Sequence, residues 1–177
     1  MTIEEIYSNN CLKPEFNADI WEHLPTIRKY AERVKTVCEI GVRTGNSTSA
    51  LLYGLSKQGG QYIGYDLGAS FAPPPIPGVE VLIKVADSQA NGFAVAPCEL
   101  LLIDGSHQYE HVKRDLENHI NASRYIVMHD TAHEWIKWGG DGVYRALHEF
   151  LAAHPREWKV IEQHENCNGL TVMEKVT

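Results

Sequence analysis

The chain has 177 residues, 44% hydrophobic and 22% charged, with a formal net charge of −7 and a sequence pI near 5.7. That length suits one domain, 1–177, with a substantial core, and the composition is ordinary for a soluble globular protein. The acidic balance and the lack of Lys/Arg runs speak against a nucleic-acid partner, and no apolar stretch approaches the ~20 residues that span a bilayer, so no membrane partner is expected.

The start, MTIEEIYSNNCLKPEF, is polar and acidic, without the basic head and apolar middle of a signal peptide, so a cytoplasmic location is expected. Residues 1–35 are taken as an N-terminal helical segment: Ile20, Leu24, Ile27, Tyr30 and Val34 recur at spacings of three and four, predicting a helix over 18–35. A core follows over 36–174. TVCEIG (36–41) reads as a buried strand, and NSTSALLYGLSK (46–57) as a helix that Asn46 or Ser47 can cap. QYIGYDL (61–67) is a second strand, the Pro-rich stretch after it a loop, and EVLIKVADS (80–88) a third strand, with a weak helix over part of 89–96.

ELLLIDG (99–105) is apolar throughout, as a strand covered on both faces should be. QYEHVKRDLENHI (108–120) predicts a helix burying Val112, Leu116 and Ile120, and RYIVMHD (124–130) a fifth strand. A helix over 141–154 precedes two strands, 158–163 and 168–174, whose short connection implies an antiparallel hairpin. Alternating strands and helices imply an α/β fold: a doubly wound, mostly parallel seven-stranded sheet, Rossmann-like, with an antiparallel C-terminal strand. The four cysteines (11, 38, 98, 167) lack C-x-x-C spacing and read as reduced, structural thiols.

In such a sheet the ligand lies beyond the carboxyl ends of the strands. Each of the first five strands ends in an acid: Glu39, Asp66, Asp87, Asp104 and Asp130. The first turn, Glu39-Ile-Gly41-Val-Arg43-Thr-Gly45-Asn-Ser47, is neither G-x-G-x-x-G nor a P-loop, since Arg43 takes the middle-glycine position and no P-loop lysine is present. The turn is bent by glycines but offers no clear phosphate cradle, and the acid before it favours a ligand with cationic groups. S-adenosylmethionine meets these demands: it has no phosphate, it carries an ammonium and a sulfonium, and Asp66 is placed for its two ribose hydroxyls.

EIGVRTGNS, YIGYDL, VADS, LLIDGSHQYEHVKRDLE and YIVMHDT resemble the successive motifs of class I S-adenosylmethionine-dependent methyltransferases, closest to the branch of macrocin-type sugar O-methyltransferases and cephalosporin-hydroxylase-like proteins. The resemblance runs from about residue 18 to 174. It implies a cofactor site at Glu39, Gly41, Arg43, Gly45 and Ser47 for the methionine part, Asp66 for the ribose, Asp87 and Ser88 at the adenine, with Asp104 beside them. It also implies His107 as the catalytic base, with Asp104, and a divalent ion, Mg2+ or another metal, on Asp104, His129 and Asp130. His129 departs from the acid that the branch carries there, and an imidazole suits Mn2+, Fe2+ or Zn2+ better than Mg2+ or stays out of the metal's shell. The expected reaction is O-methylation of a small hydroxylated metabolite or sugar; the alternative is an S-adenosylmethionine-binding protein without transferase activity.

His107-Gln-Tyr-Glu110-His111 also fits the zinc-peptidase pattern H-x-x-E-H, but it follows a buried strand and an Asp-Gly end, with Glu110 and His111 beside Lys113 and Arg114, as on a solvated face. A nucleotide-dependent oxidoreductase is disfavoured by the glycine spacing. Trp135 and Trp138 are candidate pocket walls and Gly139-Gly140 a hinge for a lid; Tyr109 and Arg43 are weaker candidates for substrate contact. A homo-oligomer is open, since a partner subunit would close the acceptor side of a short chain.

Overall fold

The computed structural model describes residues 1–12, 19–133 and 141–176. Five helices are described, α1 (Ile3–Leu12), α2 (Leu24–Ala31), α3 (Asn46–Leu55), α4 (Tyr109–Leu116) and α5 (Asp141–Ala153), with seven strands, β1 (Thr36–Ile40), β2 (Gly60–Asp66), β3 (Val79–Val85), β4 (Cys98–Ile103), β5 (Ala122–His129), β6 (Trp158–His164) and β7 (Leu170–Lys175). They form one sheet in the order β3-β2-β1-β4-β5-β7-β6, parallel except for β7, which runs antiparallel to both β5 and β6. The doubly wound, mostly parallel sheet expected from the sequence is therefore present, and its strand order reverses between β1 and β4.

The apolar runs are continuous because both faces of the sheet are buried. Along β4, Leu100 and Leu102 pack toward α1, α2 and α3 with Leu24, Ile27, Leu51 and Leu55. Leu101 and Ile103 pack on the other side with Val112, Leu116, Val143 and Leu147 of α4 and α5. The alternation of side chains along a strand divides one apolar run between two cores.

Several local expectations change. The helix expected over 18–35 is a 3-10 turn (Trp21–His23) leading into α2. Within the segment taken as helical but ahead of the 18–35 periodicity, α1 occupies the polar start, anchored by buried Ile3 and Tyr7. α3 is preceded not by a capping Asn46 or Ser47 side chain but by Gly45 at φ +84°, with no side-chain cap hydrogen bond. No helix forms over 89–96, where Asp87 Oδ1 accepts the Gln89 N–H at 2.8 Å in a tight turn. α4 ends at Leu116 and tightens into a 3-10 turn (Glu117–Asn121), which leaves Ile120 71% exposed rather than buried. The tighter winding moves Ile120 off the stripe that 3.6-residue spacing predicts. Among the described residues no helix is long and apolar enough to cross a membrane.

Candidate active site

Two cavities lie over the carboxyl ends of the strands and meet at Gly41, Arg43, Asp104 and Gly105. The larger, about 690 Å³, runs over β2 and β3 and is lined by Tyr65, Asp66, Leu67, Ala86, Asp87, Ser88, Gln89, Ser106 and His111, among others. The smaller, about 290 Å³, includes Asp19, Ile20, Asn46, Ser47, His107 and Asp130. Both volumes are at or within the range of small-molecule sites.

The loop between β1 and α3 fixes this junction. Gly41 has φ +96°, and a Cβ there would stand 2.1 Å from the Asp104 carbonyl oxygen, so only glycine lets the first turn lie against the end of β4. The Gly41 N–H donates to the Tyr65 carbonyl and the Asp104 N–H to the Ile40 carbonyl, both at 2.9 Å. Asp66 Oδ2 accepts the amides of Val42 (2.9 Å) and Arg43 (2.8 Å), and Oδ1 accepts that of Gly68 (2.7 Å). The acid expected at the ribose thus also shapes the glycine loop, and about one of its four acceptor positions remains.

Glu39 is the exception among the five acids. It is fully buried and lines neither cavity. Its Oε1 accepts the Ser47 hydroxyl at 2.5 Å, and its Oε2 accepts the Thr48 hydroxyl at 2.6 Å and the Tyr62 hydroxyl. Burial raises its pKa to about 7 despite these three donors, with Asp104 adding to the rise. The side chain expected at the cofactor is a strut bolting the start of α3 to β1, and the Ser47 hydroxyl, expected at the same place, serves that strut from the cavity wall.

At the β4–β5 end, His107 Nε2 donates to Asp130 Oδ2 at 2.7 Å. His129 Nδ1 lies 3.2 Å from both Asp104 Oδ1 and Asp130 Oδ2, while its Nε2 lies 3.0 Å from the Cys167 carbonyl oxygen. That carbonyl accepts from Nε2–H, and the two acids hold a proton on Nδ1. Against the opposing effect of burial, they raise the His129 pKa well above the ordinary histidine value. The Asp130 pKa is pushed far below the carboxylate range by His107 and His129, also against burial, and that of His107 is raised, chiefly by its bond to Asp130. Asp130 is 2% exposed at φ +59°, a strained conformation for a non-glycine residue.

The side chains brought within ligating distance of one another here are Asp104, His107 and Asp130. This differs from the expected metal set, because His129 turns its nitrogens to Cys167 and to the two acids, leaving His107 nearer a ligand's position. Asp130 Oδ1 is buried with no hydrogen-bond partner among the described residues, as an atom awaiting a cation or a ligand donor would be. Two carboxylates and an imidazole fit a divalent transition metal.

Sequence reasoning missed two contributors to the larger cavity. Gln89 lines it, and its Nε2 donates to Oδ1 of Asp115 at 3.1 Å. Asp115 lies fully buried beneath, with Oδ2 unpartnered among the described residues. The signal for Asp115 was its spacing of three from Val112, on the inward stripe of α4. Of Glu110 and His111, both expected on a solvated face, Glu110 is exposed, whereas His111 is half-buried on the wall of the larger cavity with its Nδ1 3.0 Å from the Ser106 hydroxyl oxygen. Trp135, Trp138, Gly139 and Gly140, expected to form a lid, lie outside the described residues.

A family model described as a methyltransferase domain matches residues 38–131, more than half of the chain. No curated protein sequence matches it. Among solved structures, the O-methyltransferase from Bacillus cereus in complex with SAH is 19% identical with a TM-score of 0.61, the match covering 99% of this chain and 89% of that one. The O-methyltransferase TomG from Streptomyces achromogenes, involved in tomaymycin synthesis and solved with SAM, is 17% identical with a TM-score of 0.62, covering 99% and 97%. An rRNA methylase from Streptococcus thermophilus is 11% identical with a TM-score of 0.55, covering 93% and 100%. At these identities the structural likeness establishes the fold, which is shared by proteins with very different acceptors.

Proposed function

The chain belongs to the methyltransferase-domain family, and from that premise we propose that it transfers a methyl group from S-adenosylmethionine to a hydroxyl oxygen of a small polar acceptor. The larger cavity takes the donor: Asp66 accepts from the ribose through its remaining acceptor position, Asp87 and Ser88 flank the base with the apolar Leu67 and Ala86, and the loop of Gly41 and Arg43 holds the methionine end. The smaller cavity takes the acceptor, and Asp104 stands where the two meet.

The observation that carries the reading is the pair of His107 and buried Asp130 at the acceptor side of that junction. The acceptor hydroxyl gives its proton to the His107 imidazole, whose Nε2 faces Asp130 Oδ2, as its oxygen attacks the methyl carbon, the carbon–sulfur bond breaks in line, and S-adenosylhomocysteine leaves with the sulfur lone pair. Asp130 fixes the ring and stabilises the imidazolium that forms, as the carboxylate does in a catalytic triad. Alignment of donor and acceptor supplies much of the acceleration.

A metal-assisted form of the same reaction is favoured by the unpartnered Oδ1 of Asp130. Asp104, His107 and Asp130 would hold the ion, which when bound supplies Lewis-acid polarisation of the acceptor hydroxyl.

His107→Ala separates the two forms. Methyl transfer from labelled donor, across a panel of hydroxylated acceptors, should fall by ~10²–10⁴, the usual worth of a positioned base. Calorimetry should find S-adenosylhomocysteine affinity retained. If turnover survives chelation in the wild type, His107 acts as the base alone; if it requires added metal and His107→Ala loses metal affinity, His107 is a ligand. Full turnover in His107→Ala would end both.

A further inference from the structure

On the outer side of the α4–α5 layer, three metal-ligating side chains converge that methyl transfer does not use. His119 stands in the 3-10 turn closing α4, His154 follows α5 directly, and Glu157 immediately precedes β6. One ligand atom from each lies within 4.8 Å of the other two. The imidazole rings of His119 and His154 are 4.5 Å apart, and His154 Nδ1 is 3.3 Å from Glu157 Oε1. Phe150 packs at 5.0 Å from the first ring and 4.7 Å from the second. Below them, Trp158, 2% exposed, donates its Nε1–H to His119 Nδ1 at 3.4 Å. A cavity of about 270 Å³ opens beside both imidazoles, walled by Leu116, Ala146, Phe150 and Ala153.

Packing accounts for His119, which accepts the buried Trp158 N–H, but a hydrophobic corner would cover Phe150 without His154 and Glu157. Two imidazoles and one carboxylate form a zinc-type ligand set that leaves a fourth position open. Mg2+ and Ca2+ prefer more oxygen, so the set selects Zn2+, Co2+ or Ni2+. Lys175, whose ammonium is 5.5 Å from the Trp158 ring, and Lys113 on the cavity rim oppose a cation, and Glu117 on that rim acts against them, while Glu149 there is paired with Arg145 at 2.9 Å. His154 and Glu157 sit at a chain corner rather than inside an element, so they can close on an ion without disturbing α5 or β6. This cavity shares no residue with the two at the carboxyl ends of the strands.

We propose that His119, His154 and Glu157 form a divalent transition-metal site of zinc type, open at one position, that ties the end of α4 to the corner between α5 and β6. The site is independent of the metal-assisted reading of the cleft.

The test uses the full chain stripped of metal by chelation, titrated calorimetrically with ZnCl2 in a non-chelating buffer and spectroscopically with CoCl2. The wild type should bind one equivalent at this site, with the intense visible absorption of tetrahedral Co2+. His154→Gln, at a partly exposed position, should weaken that step by more than the ~10–100-fold that loss of an outer-shell partner costs, while far-UV circular dichroism without metal stays unchanged. Glu157→Gln, at an exposed position, should weaken it too and stands in should His154→Gln misfold. The Asp104→Asn/Asp130→Asn double variant should keep the step. Absence of binding, isotherms unchanged in both corner variants, or loss of the step in the double variant would each overturn the site.

Discussion

Asp115 shows how a single buried acid links the fold to the cleft. Its Oδ1 is held by Gln89, its Oδ2 has no partner among the described residues, and burial raises its pKa to about 6. A carboxyl whose pKa is higher folded than unfolded holds its proton more tightly in the native state. Its contribution to stability is therefore full below about pH 4 and is lost as pH rises through about 6. Asp115→Asn should remove that loss: relative to wild type, the variant should gain about 2 kcal/mol between pH 4 and pH 8, the scale set by a shift of some two units. Urea denaturation of both proteins at the two pH values measures the difference, and an equal gap at each would show that Asp115 does not titrate there. In the sequence the residue was hidden by its neighbours, because Lys113-Arg114-Asp115 reads as a solvated charge run. Only the spacing from Val112 told otherwise. The acids ending β2 to β5 were legible for the opposite reason, since each closes an apolar run and so must lie at the carboxyl edge. What the sequence did not reveal was which way each turns: Glu39 points into the core because Ser47, Thr48 and Tyr62 supply donors there.

At the level of elements, the joint between β1 and α3 rests on that Glu39 cluster. Glu39→Ala would leave the hydroxyls of Ser47, Thr48 and Tyr62 buried without their acceptor, each costing about 1–3 kcal/mol less whatever Tyr62 and Thr48 recover from one another. A net loss of about 3 kcal/mol or more is expected in chemical denaturation. Glu39→Gln, which keeps an acceptor oxygen, should lose clearly less; equal losses would mean that packing volume rather than hydrogen bonding holds the joint. The elements themselves were legible where both faces are buried, because β4 and β5 carry the apolar runs 100–103 and 125–128 and β1 is apolar but for Thr36 and Glu39. The bounds of α1 were not, because only Ile3 and Tyr7 of its ten residues are buried and most of the others are polar. The end of α4 misled because the 3.6-residue period gives no warning of a change to 3-10 winding.

Across the whole molecule, the two cavities depend on β1, β2, β3 and β4 ending together at the point where strand order reverses, so a ligand there should stabilise all of them at once. If S-adenosylhomocysteine binds the native chain alone, a concentration of 100 Kd contributes about 2.7 kcal/mol. For a chain of this length that corresponds to a rise in Tm of about 5–10 °C. Asp66 is the residue through which this stabilisation spreads, because the carboxylate proposed to hold the ribose also holds the amides of Val42, Arg43 and Gly68. Asp66→Ala should lower the Tm of the free protein by loosening the glycine loop and, separately, should abolish most of the ligand-induced rise. Measuring each variant with and without ligand keeps the two effects apart. A full rise in Asp66→Ala would remove Asp66 from the donor site, and no rise in the wild type, at ligand concentrations up to millimolar, would remove the donor from the larger cavity.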